Sequence, residues 1–543
     1  MGVGFDFTGP VNNQLAYRFI GLGKKSENGV DFQEGERFMF APSFTLRPTD
    51  ATTITISALY QRDPKSLDAG FVPAYGSVLP IPGFGKVPKS FWQGDPAWNE
   101  FDRTQAYIGL EFQHRFSEDW KVTARMRYGH QESTTKAMDY TAMVDPTTMM
   151  RTIYLAEHDS NMFNADVFTE RKFTTGALQH TVVLGVDHQK LTGGFEDGWD
   201  RFQYPTINIF NPVRGVTPNA FDTFRVFEQP FEQTGVYLQD QIALGGLRLM
   251  GGLRYDRAQS SSSVLVTLNG LSTEASTTDT ELTGRVGAAY VFDNGFAPFI
   301  SYGTSFNPQP AFKPDGSMLT PYTGKMLEAG VRYQSPNSRL FWSATAYTGV
   351  KDGVGATAAC TFPGAIGLDR CFTDDTEADN KGIELEARAE LYSGLDVIAS
   401  ATWQNVRWTE VAGIAVDNHV VGVPDRMAAL WLNYTVPEGM FGYGWSVGGG
   451  VRYIGTTYAT DSNVWGASEG AYAGEPSKVD AFTLFDAAVG YDFKALSREY
   501  DGIKARLTAS NLFDKSYVAA CNGYGTCSFG KGREVLLKLS YTW

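Results

Sequence analysis

The sequence predicts an all-β protein, a transmembrane antiparallel β-barrel in which about 21 strands are seen of about 22 expected. Three observations predict it. Apolar and polar residues alternate with a period of two in segment after segment of the chain. No run of about 18 apolar residues occurs, so membrane helices are excluded. Short turns alternate with long polar connections, the asymmetry of a barrel with one simple and one elaborate rim.

The alternation begins near Val3 to Thr8 and is clear where Leu247, Leu249, Gly251, Leu253 and Tyr255 alternate with Arg248, Met250, Gly252, Arg254 and Asp256. From Ile383 to Leu391, apolar Ile383, Leu385, Ala387, Ala389 and Leu391 alternate with Glu384, Glu386, Arg388 and Glu390. Charges gathered on one face cannot lie in lipid or a dry core without a large desolvation cost, so that face meets water and the other can meet lipid. Ile503, Ala505, Leu507 and Ala509 alternate likewise with Lys504, Arg506, Thr508 and Ser510. The closing segment puts Val535, Leu537, Leu539, Tyr541 and Trp543 on one parity and ends on an aromatic suited to a membrane interface.

Short turns fall at Arg47 to Asp50, Phe116 to Asp119, Phe292 to Gly295, Ser335 to Ser338 and Tyr392 to Gly394. Long connections are expected at roughly 63–102, 191–229, 257–278, 307–321, 352–377, 457–477 and 514–531. Outer-membrane barrels turn tightly in the periplasm and carry long loops outside, so the long set is where a ligand is first met.

Composition agrees. A barrel needs only alternate residues apolar, which fits a slightly negative mean hydropathy with 20% charged residues. The 37 Phe, 26 Tyr and 11 Trp fit interfacial girdles, and 58 Gly fit turns and positions beside large rings. A net charge of −14 argues against nucleic acid as a partner. The odd strand count implies a missing first strand, because bacterial single-chain barrels have an even number. No export signal precedes the first strand segment.

A set of ordered motifs spans the chain: YQRDP at Tyr60 to Pro64, GFVP at Gly70 to Pro73, FNPV at Phe210 to Val213, TGVYLQDQ at Thr234 to Gln241 and GGLRYD at Gly251 to Asp256. SYGTSFNP at Ser301 to Pro308, KGIELEA at Lys381 to Ala387 and NLFDKSY at Asn511 to Tyr517 follow. In order and spacing these resemble the barrel of a TonB-dependent outer-membrane siderophore receptor of the ferrichrome or hydroxamate type. The resemblance implies a bacterial outer-membrane location and contact with lipid and lipopolysaccharide. It also implies a ferric siderophore as ligand, energy from the TonB complex of the inner membrane, and a monomer. Residues 1–543 are then expected to be the barrel domain alone, with the N-terminal plug, its TonB-docking segment and the first strand missing. A passive, unplugged pore is the alternative function.

The four cysteines fall into two local pairs, Cys360 with Cys371 and Cys521 with Cys527, each within one external loop. Disulfides are the favoured reading in an oxidising compartment, although four cysteines allow three connectivities. No metal site and no resident cofactor are expected; iron enters only as cargo in the siderophore. No catalytic residue is expected either. Gly444 to Gly448 match G-x-S-x-G around Ser446, but that motif needs a strand-to-helix turn and the alternation continues through it.

A ferric hydroxamate wraps a buried metal in an apolar skeleton, so flat aromatic surfaces in the loops can bind it. The candidates are Phe71, Tyr75, Tyr140, Trp199, Tyr204 and Tyr524, each assigned to an external loop. The family resemblance places ligand-contacting aromatics in the same loops. Ala69 and Asn522 stand where the family carries aromatics, which implies a siderophore related to ferrichrome and leaves ferrichrome itself open.

Overall fold

The computed structural model describes residues 1–66, 70–200, 203–217, 223–267, 270–362, 371–466, 472–523 and 526–543. One antiparallel sheet of 24 strands forms the wall. Three of these are short and lie on outer connections, Thr206–Asn208, Thr223–Glu228 and Ile414–His419, which leaves 21 long strands. Alternation decides which face each side chain takes. In the strand Thr376–Tyr392, Ile383 and Leu385 remain 50% and 41% exposed on the apolar outer side, while Glu384 and Glu386 face the lumen.

At one rim the strands join through tight hairpins, as between Thr49 and Thr52, Ser117 and Trp120, Thr175 and Leu178, and Tyr392 and Leu395. Gly176 and Gly394 take φ of 63° and 84° there, conformations that a side chain disfavours. Rings collect at this rim: Phe116 lies 4.5 Å from Trp120 and Tyr290 4.6 Å from Phe292, as a girdle at the lipid headgroups requires. Ser446 sits in the strand Trp445–Ile454, opposite Thr435 and Gly490, with strand and not helix after it.

At the other rim several expected loops are strands. Residues 257–266 and 271–278 form the paired ends of Leu247–Val266 and Leu271–Tyr290, which stay in register to Val266 and Leu271. Much of 191–229 belongs to Leu178–Asp200 and Thr223–Glu228. Tyr140 is on the strand Trp120–Asp145, whose hairpin tip is tightened by the Asp145 carboxylate accepting from the backbone N–H groups of Thr147 and Thr148. Strands outlast the bilayer here because other loops cover one of their faces. Ala258, Ser260, Ser262, Val264 and Val266 are buried in strict alternation well beyond the lipid-facing Leu253 and Tyr255.

Two apolar clusters provide that cover. The first joins Val72, Ile81, Val87, Phe91, Met149, Ile207, Ile209, Trp465 and Val479 around Cys521 and Cys527. The second joins Val264, Val266, Phe312 and Met318 around Cys371. The structure pairs Cys521 with Cys527 and Cys360 with Cys371, so each cluster holds one disulfide.

The sheet has two edges. Gly2–Pro10 pairs with Leu15–Glu27, Glu534–Tyr541 pairs with Ile503–Ser510, and no bridge joins the two edges among the described residues. With 21 long strands they run in the same direction, and the rings of Phe7 and Trp543 meet at 5.1 Å.

Candidate functional site

The first cluster is assembled from loops far apart in sequence. The loop 66–99 crosses to the last loop, where the Val72 N–H donates to the Cys527 carbonyl at 2.7 Å and the Cys527 N–H returns the bond at 2.9 Å. Gly70, at φ 62°, turns the chain into this crossing. The Gln93 side-chain amide grips Phe71 by its backbone, donating to its carbonyl at 2.9 Å and accepting from its N–H at 3.2 Å. The half-buried Phe71 ring is thus fixed in place by a neighbour that is itself fully buried.

Gln93 is held in turn from the wall. Arg151, fully buried on the strand Thr148–Thr175, donates to the Gln93 carbonyl at 2.9 Å and the Gly94 carbonyl at 3.4 Å. Burial pulls its pKa down to about 10, which leaves it charged at neutral pH. Arg214 donates to the Trp92 carbonyl at 2.7 Å and to Gly94, and stacks over Phe32 and Trp92. Asp95 accepts from the N–H groups of Gly215 and Val216, closing the junction.

Tyr75 and Tyr140 both pack against this first cluster. Tyr75 meets Tyr472 edge-on at 6.4 Å, and the Tyr472 hydroxyl donates to the Pro80 carbonyl. Trp199 belongs elsewhere, to a ladder formed by Leu178–Asp200, Thr148–Thr175 and Thr223–Glu228. The Arg225 guanidinium lies 4.2 Å from the Trp199 ring and 5.2 Å from Phe227, and binds Asp197 through two bonds of 2.8 and 2.6 Å. Tyr154 flanks Trp199 at 5.4 Å, while Phe195 stacks on Phe227 at 4.4 Å and on His158 at 5.1 Å. Burial, helped by the Asp197 charge, pushes the Tyr154 hydroxyl up to about 12, so it stays neutral.

Tyr204 is 43% exposed and lies on the stretch between the ladder and Thr206–Asn208. Tyr524 lies outside the described residues. The six aromatic candidates therefore do not form one patch. Tyr75 and Tyr140 pack against the first cluster, Phe71 is held beside it by Gln93, and Trp199 belongs to the ladder, whose Phe227 reaches the second cluster. Sequence reasoning passed over Tyr154, Asp197, Phe195, Arg225 and Phe227. Their signal is period two: Phe195, Asp197 and Trp199 alternate, and so do Arg225 and Phe227.

Below this mouth the lumen wall carries a polar recess of about 580 Å³ lined by Asp166, Asp187, Tyr237, Arg254 and Arg285. The Tyr237 hydroxyl donates to Asp166 at 2.8 Å, and Arg254 bonds both Asp187 and Asp256. Glycines make room for both groups: a Cβ at Gly185 would overlap the Tyr237 ring, and one at Gly235 the Arg254 guanidinium. Among the described residues, one group of His and carboxylates has metal-ligand spacing, His130 with Glu132 and Asp159, and it takes the opposite strand parity to His158 and Phe195 of the ladder.

Residues 40–512 match the family described as "TonB dependent receptor-like, beta-barrel". The ferrioxamine B receptor of Salmonella typhimurium (strain SL1344) is 29% identical over all of this chain and 73% of its own length. The ferrioxamine receptor of Yersinia enterocolitica is 30% identical over 99% of this chain and 72% of its own. Among solved structures, the siderophore receptor PiuA of Acinetobacter baumannii superposes with a TM-score of 0.85 at 19% identity, covering 99% of this chain and 79% of that one.

Proposed function

Because this chain belongs to the TonB-dependent receptor family of β-barrels, we propose that it is the outer-membrane barrel of a receptor that captures and imports a ferric siderophore of the hydroxamate type. The relatives named for ferrioxamine support the hydroxamate class, over nearly the whole chain. One structural observation carries the reading independently. Six guanidinium groups of the mouth and upper lumen, Arg37, Arg103, Arg151, Arg214, Arg225 and Arg254, are each engaged by carboxylates or backbone carbonyls. Arg214 and Arg225 lie against Phe32, Trp92, Trp199 and Phe227, aromatic surface suited to a compact complex with an apolar skeleton. A polyanionic ferric catecholate would need free guanidiniums in their place.

In this reading the protein functions as a monomer among lipid and lipopolysaccharide, with its loops outside the cell. Energy coupling to the TonB complex falls to a plug domain, which the residues of this wall do not supply. The protein brings iron through as cargo and has no chemical step to perform on it.

The test is uptake of a radio-iron hydroxamate complex by cells carrying the full-length receptor, with and without the inner-membrane energy source. Energy-dependent uptake of the hydroxamate, and none of a ferric triscatecholate, is expected. Uptake that persists without the energy source would favour a passive pore.

A further inference from the structure

The outer face of the wall just above the lipid band carries an unusual set of groups. Met126 and Tyr128 on the strand Trp120–Asp145, and Phe163 and Val167 on Thr148–Thr175, are the last large apolar residues of that face. With the register unbroken, the next positions outward on the same face are His130 opposite Asn161, Glu132 opposite Asp159, and Glu157 opposite Glu196 of the adjoining strand. Carboxylates thus stand directly across from carboxylates twice, an arrangement that destabilises a sheet. Glu228 joins them, opposite Gly194. Among the described residues, no Lys or Arg pairs with Glu132, Glu157, Asp159, Glu196 or Glu228; the one cationic partner is His130.

The imidazole is oriented for more than an ion pair. Its Nδ1 lies 3.0 Å from the Asn161 side-chain oxygen, which also accepts from the Tyr128 hydroxyl at 2.7 Å. Nε2 faces Glu132 Oε1 at 3.0 Å, where its N–H donates to the carboxylate, and lies 3.9 Å from Asp159 Oδ2; a metal ion bound here takes the place of that proton. One ligand atom from each of the three side chains therefore lies within 4.8 Å of the others. Ligands about 2.1 Å from a tetrahedral Zn²⁺ stand about 3.4 Å apart, inside the range these atoms span. Fixing the ring through its second nitrogen is how metal-binding histidines are held.

We propose that His130, Glu132 and Asp159 bind a divalent transition-metal ion, best matched by Zn²⁺, on the outer wall of the barrel and apart from the siderophore site. One imidazole with two carboxylates is a borderline donor set that favours Zn²⁺ over Ca²⁺ or Mg²⁺, which prefer all-oxygen ligands. The ion neutralises the facing carboxylates, and its open coordination positions point toward the outer-leaflet headgroups.

The experiment is equilibrium dialysis of the metal-stripped full-length receptor against Zn²⁺ alone at neutral pH, with and without a large excess of Ca²⁺. His130→Ala, Glu132→Gln and Asp159→Asn are compared, and ferric hydroxamate binding serves as the check on folding. One Zn²⁺ per chain is expected in the parent, retained against Ca²⁺ and weakened at least tenfold in each variant, with siderophore binding unchanged. Equal Zn²⁺ binding by His130→Ala, displacement by Ca²⁺, or no Zn²⁺ binding by the parent would each overturn the proposal. The last result would leave His130 as an exposed ion pair only.

Discussion

Replacing Asp197 by Asn tests whether the aromatic ladder is held by its buried ion pair. The Asp197 and Arg225 side chains are 6% and 9% exposed, so the substitution removes the Asp197 charge from beside a guanidinium in a nearly dry site. Breaking such a pair from one side costs about 3–5 kcal/mol. Part of this is returned by the Trp199 and Phe227 faces, since a desolvated cation–π contact is worth about 2 kcal/mol. A net loss of about 2 kcal/mol corresponds to local opening roughly thirtyfold more frequent. Hydrogen exchange in the full-length receptor reads it directly, at the amides of 195–199 and 224–228. Arg225→Met should also speed exchange, and the double variant Asp197→Asn with Arg225→Met should cost less than the sum of the two, because each single variant already loses the shared ion pair. Unchanged exchange in Asp197→Asn, or strict additivity in the double variant, would refute the reasoning.

Other consequences follow from the same contacts. Burial pushes the Asp374 carboxyl up, but the Lys313 ammonium at 2.7 Å and two donors from Thr320 outweigh it and hold its pKa at about 2. Against an ordinary 3.8, that depression stabilises the second cluster by about 2 kcal/mol above pH 4, and the gain is lost as pH falls toward 2; proteolysis of 308–320 by an acid-active protease should accelerate over that window and lose its pH step in Asp374→Asn. Gln93→Ala frees the Phe71 backbone and should weaken ferric hydroxamate binding about tenfold, leaving barrel melting unchanged, as titration and a thermal scan would show. Cys521→Ser with Cys527→Ser removes a closure worth about 2 kcal/mol from the first cluster, so protease cutting in 518–529 should increase while the strands remain intact.

The wall was legible because lipid on one side and water on the other force a period of two, as Ile383 to Leu391 show. Beyond the bilayer the same period persists for a different reason, burial under other loops, and there it was harder to read. The serines at 260–263 carry no polarity contrast, so a regular strand looked like a loop. At Tyr140 a register shift interrupts the pairing, and the strand continues past it to Asp145. The loop aromatics stood out as residue types, but their grouping did not, because it depends on contacts such as Val72 with Cys527 that span most of the chain. Arg151 gave no signal: a lone arginine between Met150 and Thr152 reads as surface until the carbonyls of Gln93 and Gly94 are found around it.

Equilibrium titration of the purified full-length receptor, followed by quenching of its tryptophan fluorescence, tests the central claim most directly. A ferric trihydroxamate should saturate the parent at one complex per chain, bind more weakly to a receptor carrying Phe71→Ala and Trp199→Ala, and meet no competition from a ferric triscatecholate. Saturable catecholate binding with no response to the hydroxamate would contradict the account.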